Sequence, residues 1–435
     1  MVTRVAEAAP GANWAGTLSY GARRLLHPHT VDELRDLVVG TDRVRALGSR
    51  HSFSDIADTT GDLVDLRALP ATVEIDPDAR VACVTAGMTY GAVSVLLERD
   101  GWALGNLASL PHISVAGAVA TGTHGSGVSN PSLAAGVREL EWIGAGGDIR
   151  RLARGDAGFA GSVVSLGALG IVTRLWLDIE PSFEVRQRVW DDVAFDAVID
   201  DLDAVLSCAY SVSVFTDWAG DRVQQLWVKQ RAEEPDLPER LFGGTQVTGD
   251  RHPIPGLPGD AATPQGGVAG PWLDRLPHFR MEFAPSAGDE IQSEYLVPSA
   301  HGADAIRALR ALGERMSALV QVSEIRSVAA DDLWLSPSSG AQAIAFHFTW
   351  KRDVDGVAAI TPELEGALAP FAARPHWGKV HSVPADVLRR RYPRYDDFVQ
   401  LVRASDPNGK FSNDALCRWF PELGVSGAAA PERIA

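Results

Sequence analysis

The apolar run Val44-Arg45-Ala46-Leu47 leads directly into Gly48-Ser49-Arg50-His51-Ser52, and this junction constrains the chain more than any other stretch. A short strand that ends in a Gly/Ser turn leaves successive backbone N–H groups pointing off its end. Such a concavity binds anions and suits a pyrophosphate. The histidine in the same turn then lies against whatever carries that pyrophosphate. A nicotinamide cofactor gives it no obvious task, whereas beside a flavin it is a candidate point of covalent attachment.

A second constraint is Asn106 to Gly127, where 22 residues hold four glycines, four alanines and repeated Ser/Thr. Side chains this small build little core. They let backbone pass close to a flat or extended ligand and offer N–H and hydroxyl donors. Tight helix–strand packing also wants small residues, but is the lesser reading of the stretch even taken alone, and less so beside the Gly48 turn. Gly125-Ser126-Gly127-Val128-Ser129-Asn130 nearly spells a dinucleotide fingerprint, but it lacks the third glycine and a strand–turn–helix setting. Walker A, HExxH and GxSxG patterns are absent.

Three late strings place polar residues on apolar elements: Glu324-Ile325-Arg326, His347-Phe348-Thr349-Trp350 and His376-Trp377-Gly378-Lys379. The i, i+2 spacing of Glu324 with Arg326, and of His347 with Thr349, puts each pair on one face of a strand. Any one pair is better read as a surface ion pair or a satisfied sheet histidine; several together favour a pocket wall. His27, His29, His252, His278, His301 and His381 carry no partner pattern and read as surface or structural.

Around these motifs, Thr30 and Glu33 form a capping box for a helix that Gly40 ends, ahead of the strand Val44–Leu47. Val73–Ile75 and Val81–Val84 flank an Asp-Pro-Asp turn, Thr89 to Arg99 reads as helix, and Val137–Ile143 enters a hairpin at Gly144–Asp148. Val172–Leu177 is a further strand. Residues 13–178 therefore form one α+β domain. Val212–Phe215, Gln225–Val228 and Ala343–Trp350 are strands of a second domain, 179–390, with a helix from Ala303 to Val320. Residues 232–271 read as an exposed, lid-like excursion. A last helix, Tyr392 to Ala404, lies in a segment 391–423 that returns to the first domain, and 424–435 read as a disordered tail.

At 435 residues a two-domain chain is the natural expectation. A net charge of −16 argues against nucleic acid and anionic membranes as partners. Three scattered cysteines suit a reducing compartment and no metal site. No signal layout or apolar stretch of about 18 residues is present, so a cytoplasmic monomer is expected. Only four of the 40 basic residues are lysines, which makes a lysine in an aromatic motif notable.

The chain resembles the covalent-flavin oxidases of the vanillyl-alcohol oxidase superfamily, and within it the bacterial alditol oxidases. The resemblance runs from Asn13–Gly16 through Leu47–Phe53, Ala108–Gly127, Ser165–Val172, Tyr210–Trp218, Gly270–Trp272 and Leu276–Arg280 to Glu324–Arg326, Ala372–Lys379 and Asp406–Asn413. It implies an α+β two-domain flavoprotein, with an FAD-binding domain and a mixed α/β substrate domain. His51 matches the residue that bonds the flavin 8-methyl carbon. Ala46, Leu47, Gly48, Ser49, Arg50 and Ser52 would hold the pyrophosphate. Ser109, Ser114, Gly117, Thr121, Gly122, Thr123, His124 and Ile171 would line the FAD. Glu324, Arg326, Thr349 and Lys379 match the substrate pocket, with Ser109 reaching it too. Arg50 departs from the pattern, since many relatives carry a small residue there, usually Gly. A cation at that point reaches for a phosphate or points to solvent.

The implied reaction oxidises the terminal C1 alcohol of xylitol or sorbitol to an aldose while O2 becomes H2O2. Lys379, His347, Glu324 and a bound water remain open as the general base, with Arg326 among the catalytic candidates. An aldonolactone oxidase or sugar dehydrogenase on the same scaffold is the alternative, followed by a flavin- or carbohydrate-binding protein without turnover.

Overall fold

The computed structural model describes residues 5–283 and 289–424, so all but the first residue of the expected tail lies outside the described residues. The helix Val31–Gly40 forms where the capping residues place it. The Thr30 hydroxyl accepts from the Glu33 N–H at 3.1 Å, and the Glu33 carboxylate accepts from the His29 N–H at 2.7 Å. Leu34 and Val38 are fully buried, one turn apart on the inner face. At the other end the Thr41 hydroxyl donates to the Leu37 carbonyl, satisfying one of the orphan acceptors there.

The chain then enters the strand Val44–Leu47, which pairs in parallel with Asp62–Asp65. That strand pairs in parallel with Arg24–His27, and Ala6–Ala8 adds an antiparallel edge. The Gly48 turn thus leaves the carboxyl end of a parallel strand, where ligands sit in open α/β sheets. A second sheet is antiparallel, in the order Val73–Asp76, Val81–Thr85, Ile171–Asp178, Val137–Ile143, Ile149–Ala153.

The third sheet has ten strands among the described residues. Its centre runs Glu184–Asp191, Gln225–Arg231, Ser211–Thr216, Val320–Val328, Ala343–Lys351, Glu290–Pro298, all antiparallel neighbours. Strict alternation divides its faces. Val214, Ile325, Phe346, Phe348, Tyr295 and Ile291 form one core with Ile306, Leu309, Val357 and Leu364 of the helices Gly302–Arg310 and Val354–Leu368. The alternate residues Gln292, Glu294, Glu324, Arg326, His347 and Thr349 face a cavity. The helices Ala385–Arg391, Tyr395–Ser405 and Asp414–Trp419 return to the core of the N-terminal half. No helix among the described residues is long and apolar enough to cross a membrane.

Three local expectations change. Ala303 to Val320 is two helices, Gly302–Arg310 and Gly313–Ser317, and Val320 already begins a strand. Gly313 packs against the Trp218 carbonyl, which an added Cβ would meet at 2.3 Å. The expected Tyr392–Ala404 helix starts at Tyr395, because Pro393 ends the preceding helix. Residues 232–271 are not simply exposed. His252, Thr263 and Gln265 are buried, with the Gln265 amide bonded to both the N–H and the carbonyl of Arg251. Side chains that satisfy loop backbone in this way leave no periodic trace.

Trp377 joins the C-terminal helices to the rest. It is fully buried, donates to the Leu335 carbonyl at 2.7 Å, and packs 5.1–5.2 Å from the rings of Tyr392 and Trp419. Trp377→Ala is expected to cost about 3–5 kcal/mol of stability, read as a lowered urea midpoint.

Candidate active site

One cavity runs from the Gly48 turn across the small-residue segment to the polar face of the large sheet. At the turn, the Ser49 hydroxyl accepts from the Ser114 N–H at 3.0 Å, while the Ser114 hydroxyl lies 3.4 Å from the Ser49 N–H. This closeness requires glycine on both sides. An added Cβ would meet the Ser114 hydroxyl at 2.4 Å from Gly48 and at 2.6 Å from Gly117. Ala46 to Ser52, Ser109, Ser114, Gly117, Thr121, Thr123 and His124 all line the cavity. Ile171 and Gly122 stand off it: Ile171 is buried in its strand, and Gly122 turns at φ +68° against Pro337.

His51 stacks on Trp14 with ring centroids 5.4 Å apart, and its two ring nitrogens are buried with no side-chain partner among the described residues. Burial, assisted by the nearby Lys379 cation, pushes its pKa down to about 4, so the ring is neutral with a free lone pair. Arg50 lines the cavity and turns its guanidinium to the N-terminal segment. Its guanidinium donates to the carbonyls of Pro10 at 2.6 Å and Ala12 at 3.2 Å. Its own carbonyl accepts from the Trp14 N–H at 2.8 Å, which fixes the ring over His51. Arg50 has φ +65°, a left-handed conformation where glycine is at ease and arginine bears about 1–2 kcal/mol.

On the sheet, register aligns Glu294, His347 and Glu324 side by side across three strands. Arg326 donates to Glu294 at 2.7 Å and lies 3.5 Å from Glu324, all three nearly inaccessible. Burial opposes the charge on each, but mutual pairing outweighs it: both carboxyls are held below the usual carboxylate range and the guanidinium is raised. Glu294 also meets His124 at 3.3 Å and His347 at 3.4 Å. The Ser109 hydroxyl accepts from Arg326 at 3.2 Å, and Thr349 pairs with His347 at 3.3 Å. Lys379 donates to the Gln292 side-chain oxygen, and burial lowers its pKa against the pull of Glu294 and Glu290.

Four participants carried no weight in the sequence reading. Glu294 is the hub of the ion pairs, and the alternation Glu290-Ile291-Gln292-Ser293-Glu294 was the available signal for it and for Gln292. His278, read as surface or structural, is buried and 2.7 Å from Glu324. His252 lines the cavity, also against expectation. His381, read as surface or structural, is half-buried and stacks 5.2 Å from Trp419, its ring nitrogens buried and without a hydrogen-bond partner among the described residues. Aromatic packing of this kind depends on residues distant in the chain.

Burial holds His278 at about 4 and His376 and His381 at about 3, below the ordinary 6.5. The unfolded rings take up protons below 6.5 while the native ones stay neutral. The stability they contribute is therefore complete above pH 6.5 and is lost as pH falls towards 4 and then 3. His381→Phe, which keeps the stack on Trp419, is expected to flatten the fall in stability by about 1.4 kcal/mol per pH unit over that window, measured as urea midpoints against pH.

The FAD binding domain family matches residues 22–153, and the D-arabinono-1,4-lactone oxidase family matches residues 289–419. Alditol oxidase from a Streptomyces species is 47% identical over 93% of this chain and 97% of its own. L-gulono-1,4-lactone dehydrogenase of Mycobacterium tuberculosis is 29% identical over 93% and 97%. Among solved structures, cholesterol oxidase from B. sterolicum superposes with a TM-score of 0.77 at 16% identity, covering 96% of this chain and 98% of that one. The interlocked glycine turns fit a cofactor that lies against bare backbone, and the identity over nearly the whole length places the chain in the alditol oxidase family of FAD-binding oxidoreductases.

Proposed function

We propose that the protein oxidises the terminal C1 alcohol of an alditol such as xylitol or sorbitol to the aldose, with O2 reduced to H2O2. The observation that carries this reading is the polar row of one sheet face, Glu324, Arg326, His347 and Thr349, opening with Lys379 into the same cavity as His51. A polyol exposes a hydroxyl at every carbon, and each one buried without a partner costs about 1–3 kcal/mol. Donors and acceptors set along one wall answer that requirement. An apolar alcohol would need no such wall.

When bound, FAD supplies an acceptor for the two electrons leaving the carbinol carbon and hands them to dioxygen. The chain's own residues do the rest. Gly48, Ser49 and Ser52, with Ser114 and Gly117, present backbone to the pyrophosphate. His51, neutral and with no side chain bonded to its ring nitrogens among the described residues, is the residue of covalent attachment. Glu324 and Arg326 grip substrate hydroxyls as acceptor and donor, Ser109 and Thr349 add hydroxyls, and His347 lies beside Thr349. The Lys379 ammonium stabilises negative charge developing on the reacting oxygen. Its lowered pKa also lets its amine form accept the hydroxyl proton. The unpaired Cys83, Cys208 and Cys417 support a cytoplasmic setting, in which the enzyme acts as a monomer.

The D-arabinono-1,4-lactone oxidase match spans Glu294 to Lys379, the same polar residues, which keeps aldonolactones as the second reading. A peroxide assay on xylitol, sorbitol, glycerol and an aldonolactone tests both. Peroxide from polyols is expected; peroxide from the lactone alone would overturn the alditol reading. His51→Ala is expected to release all its yellow colour on acid precipitation, whereas a coloured pellet would place the attachment elsewhere. Lys379→Met is expected to lower kcat about 100- to 1,000-fold with a smaller change in KM.

A further inference from the structure

Lys229, on the Gln225–Arg231 strand, has only 1% of its surface exposed, and nothing in the reaction above uses it. Its ammonium nitrogen lies 2.5 Å from the Leu276 carbonyl, 3.0 Å from the Pro277 carbonyl and 3.2 Å from His278 Nδ1. At the far edge of the same imidazole, Nε2 lies 2.7 Å from Glu324 Oε1. A chain of three side chains thus runs from behind the cavity wall to the carboxylate that faces substrate. The rings of Trp227 and Phe215 stand edge-on to His278 at 5.2 and 5.6 Å and hold it in place. The charged groups facing this chain are Glu324 and Arg326 of the Val320–Val328 strand, one strand beyond Ser211–Thr216.

Counting valences decides where the protons sit. Glu324, paired with Arg326, is a carboxylate and can only accept. His278 must then donate from Nε2, which leaves Nδ1 as an acceptor. Burial pushes the Lys229 pKa well below the ordinary lysine range against the pull of Glu324, and the three acceptors that converge on its nitrogen match the three N–H groups of an ammonium, the form this chain requires. Removing that ammonium would leave Nδ1 free to take a second proton while Glu324 still holds the one on Nε2, and the resulting imidazolium would compete with substrate for the Glu324 charge. The same ammonium holds the 276–279 loop, whose His278 N–H donates to the Ser109 carbonyl at 3.0 Å.

We propose that Lys229 is a positioning residue which, by occupying Nδ1 and so holding His278 as the neutral Nε2–H ring, keeps Glu324 an oriented acceptor for the substrate hydroxyl. The substrate part of this statement rests on the alditol reading; the tautomer does not. It can therefore be read without substrate, by 15N NMR of histidine-labelled holoenzyme, with the His278 signals assigned by their loss in His278→Gln. Wild-type His278 is expected to be neutral and protonated on Nε2, and to become doubly protonated in Lys229→Met. An Nδ1–H or doubly protonated ring in the wild type overturns the proposal, whether or not Lys229→Met folds. An unchanged tautomer in Lys229→Met overturns it equally.

In turnover with the best polyol, Lys229→Met is expected to raise KM about tenfold and shift the acid limb of kcat/KM up by about one pH unit, with His278→Leu alike. His278→Gln, which keeps an acceptor towards Lys229 and a donor towards Glu324, is expected to recover most of the loss. A wild-type pH profile in Lys229→Met, or His278→Gln as impaired as His278→Leu, overturns the proposal. Absence of turnover by the wild type with every polyol would instead sink the alditol reading and leave the NMR result standing.

Discussion

The guanidinium of Arg326, sealed between Glu324 and Glu294, is the interaction around which the cavity is organised. A single charge at that depth would cost several kcal/mol, so the three ions stand or fall together. Their shared field determines the protonation of everything near them. It holds both carboxylates ionised, and it gives His124, His347 and His278 a fixed acceptor to face. Because His124 belongs to the small-residue segment and Glu294 to the large sheet, the same network ties one half of the molecule to the other. Truncating any member would leave the remaining charges buried and unmatched, a penalty larger than the net worth of the pair.

Close backbone approach is the second organising condition. The Gly48 turn and the Ser114–Gly117 segment interlock through the Ser49 and Ser114 hydroxyls only because Gly48 and Gly117 carry no side chain beside them. Arg50 tolerates a left-handed backbone in that turn because its side chain is spent elsewhere, anchoring the Pro10–Trp14 segment that covers His51. The residue that looked anomalous in a phosphate-binding turn is thus a strap on its outer side. Lysine usage follows a related logic. All four lysines donate to carbonyl-type oxygens: Lys229 to Leu276 and Pro277, Lys351 to Ala318, Lys379 to Gln292 and Lys410 to Val38 and Thr41. A compact ammonium with three donors meets converging oxygens where a planar guanidinium would not fit.

A scaffold shared with cholesterol oxidase at 16% identity carries no chemistry by itself. The chemistry resides in which residues occupy the cavity-facing positions of one sheet. Alternation makes that face independent of the apolar core behind it, so pocket residues can change without disturbing Phe346, Phe348 or Ile325.

Local signals were legible in the sequence because their causes are local. The Thr30 cap, the hairpins at 73–84 and 137–153, the glycine turn after Val44–Leu47 and the i, i+2 polar pairs all depend on residues within a few positions. His278 and Lys229 were not legible, although each is an ordinary residue in plain sight, and the alternation at 290–294 marked Glu294 as facing inward without showing what it meets. Their importance arises from strand register and from a loop 47 to 49 residues away in the chain that brings carbonyls and an imidazole to a buried amine. The sequence by itself determined which segments must come close to a flat, phosphate-bearing ligand, because only small residues permit that approach. The tertiary structure alone decided which charges meet, and hence which proton sits where, because burial and pairing between distant strands act only once the sheet is assembled.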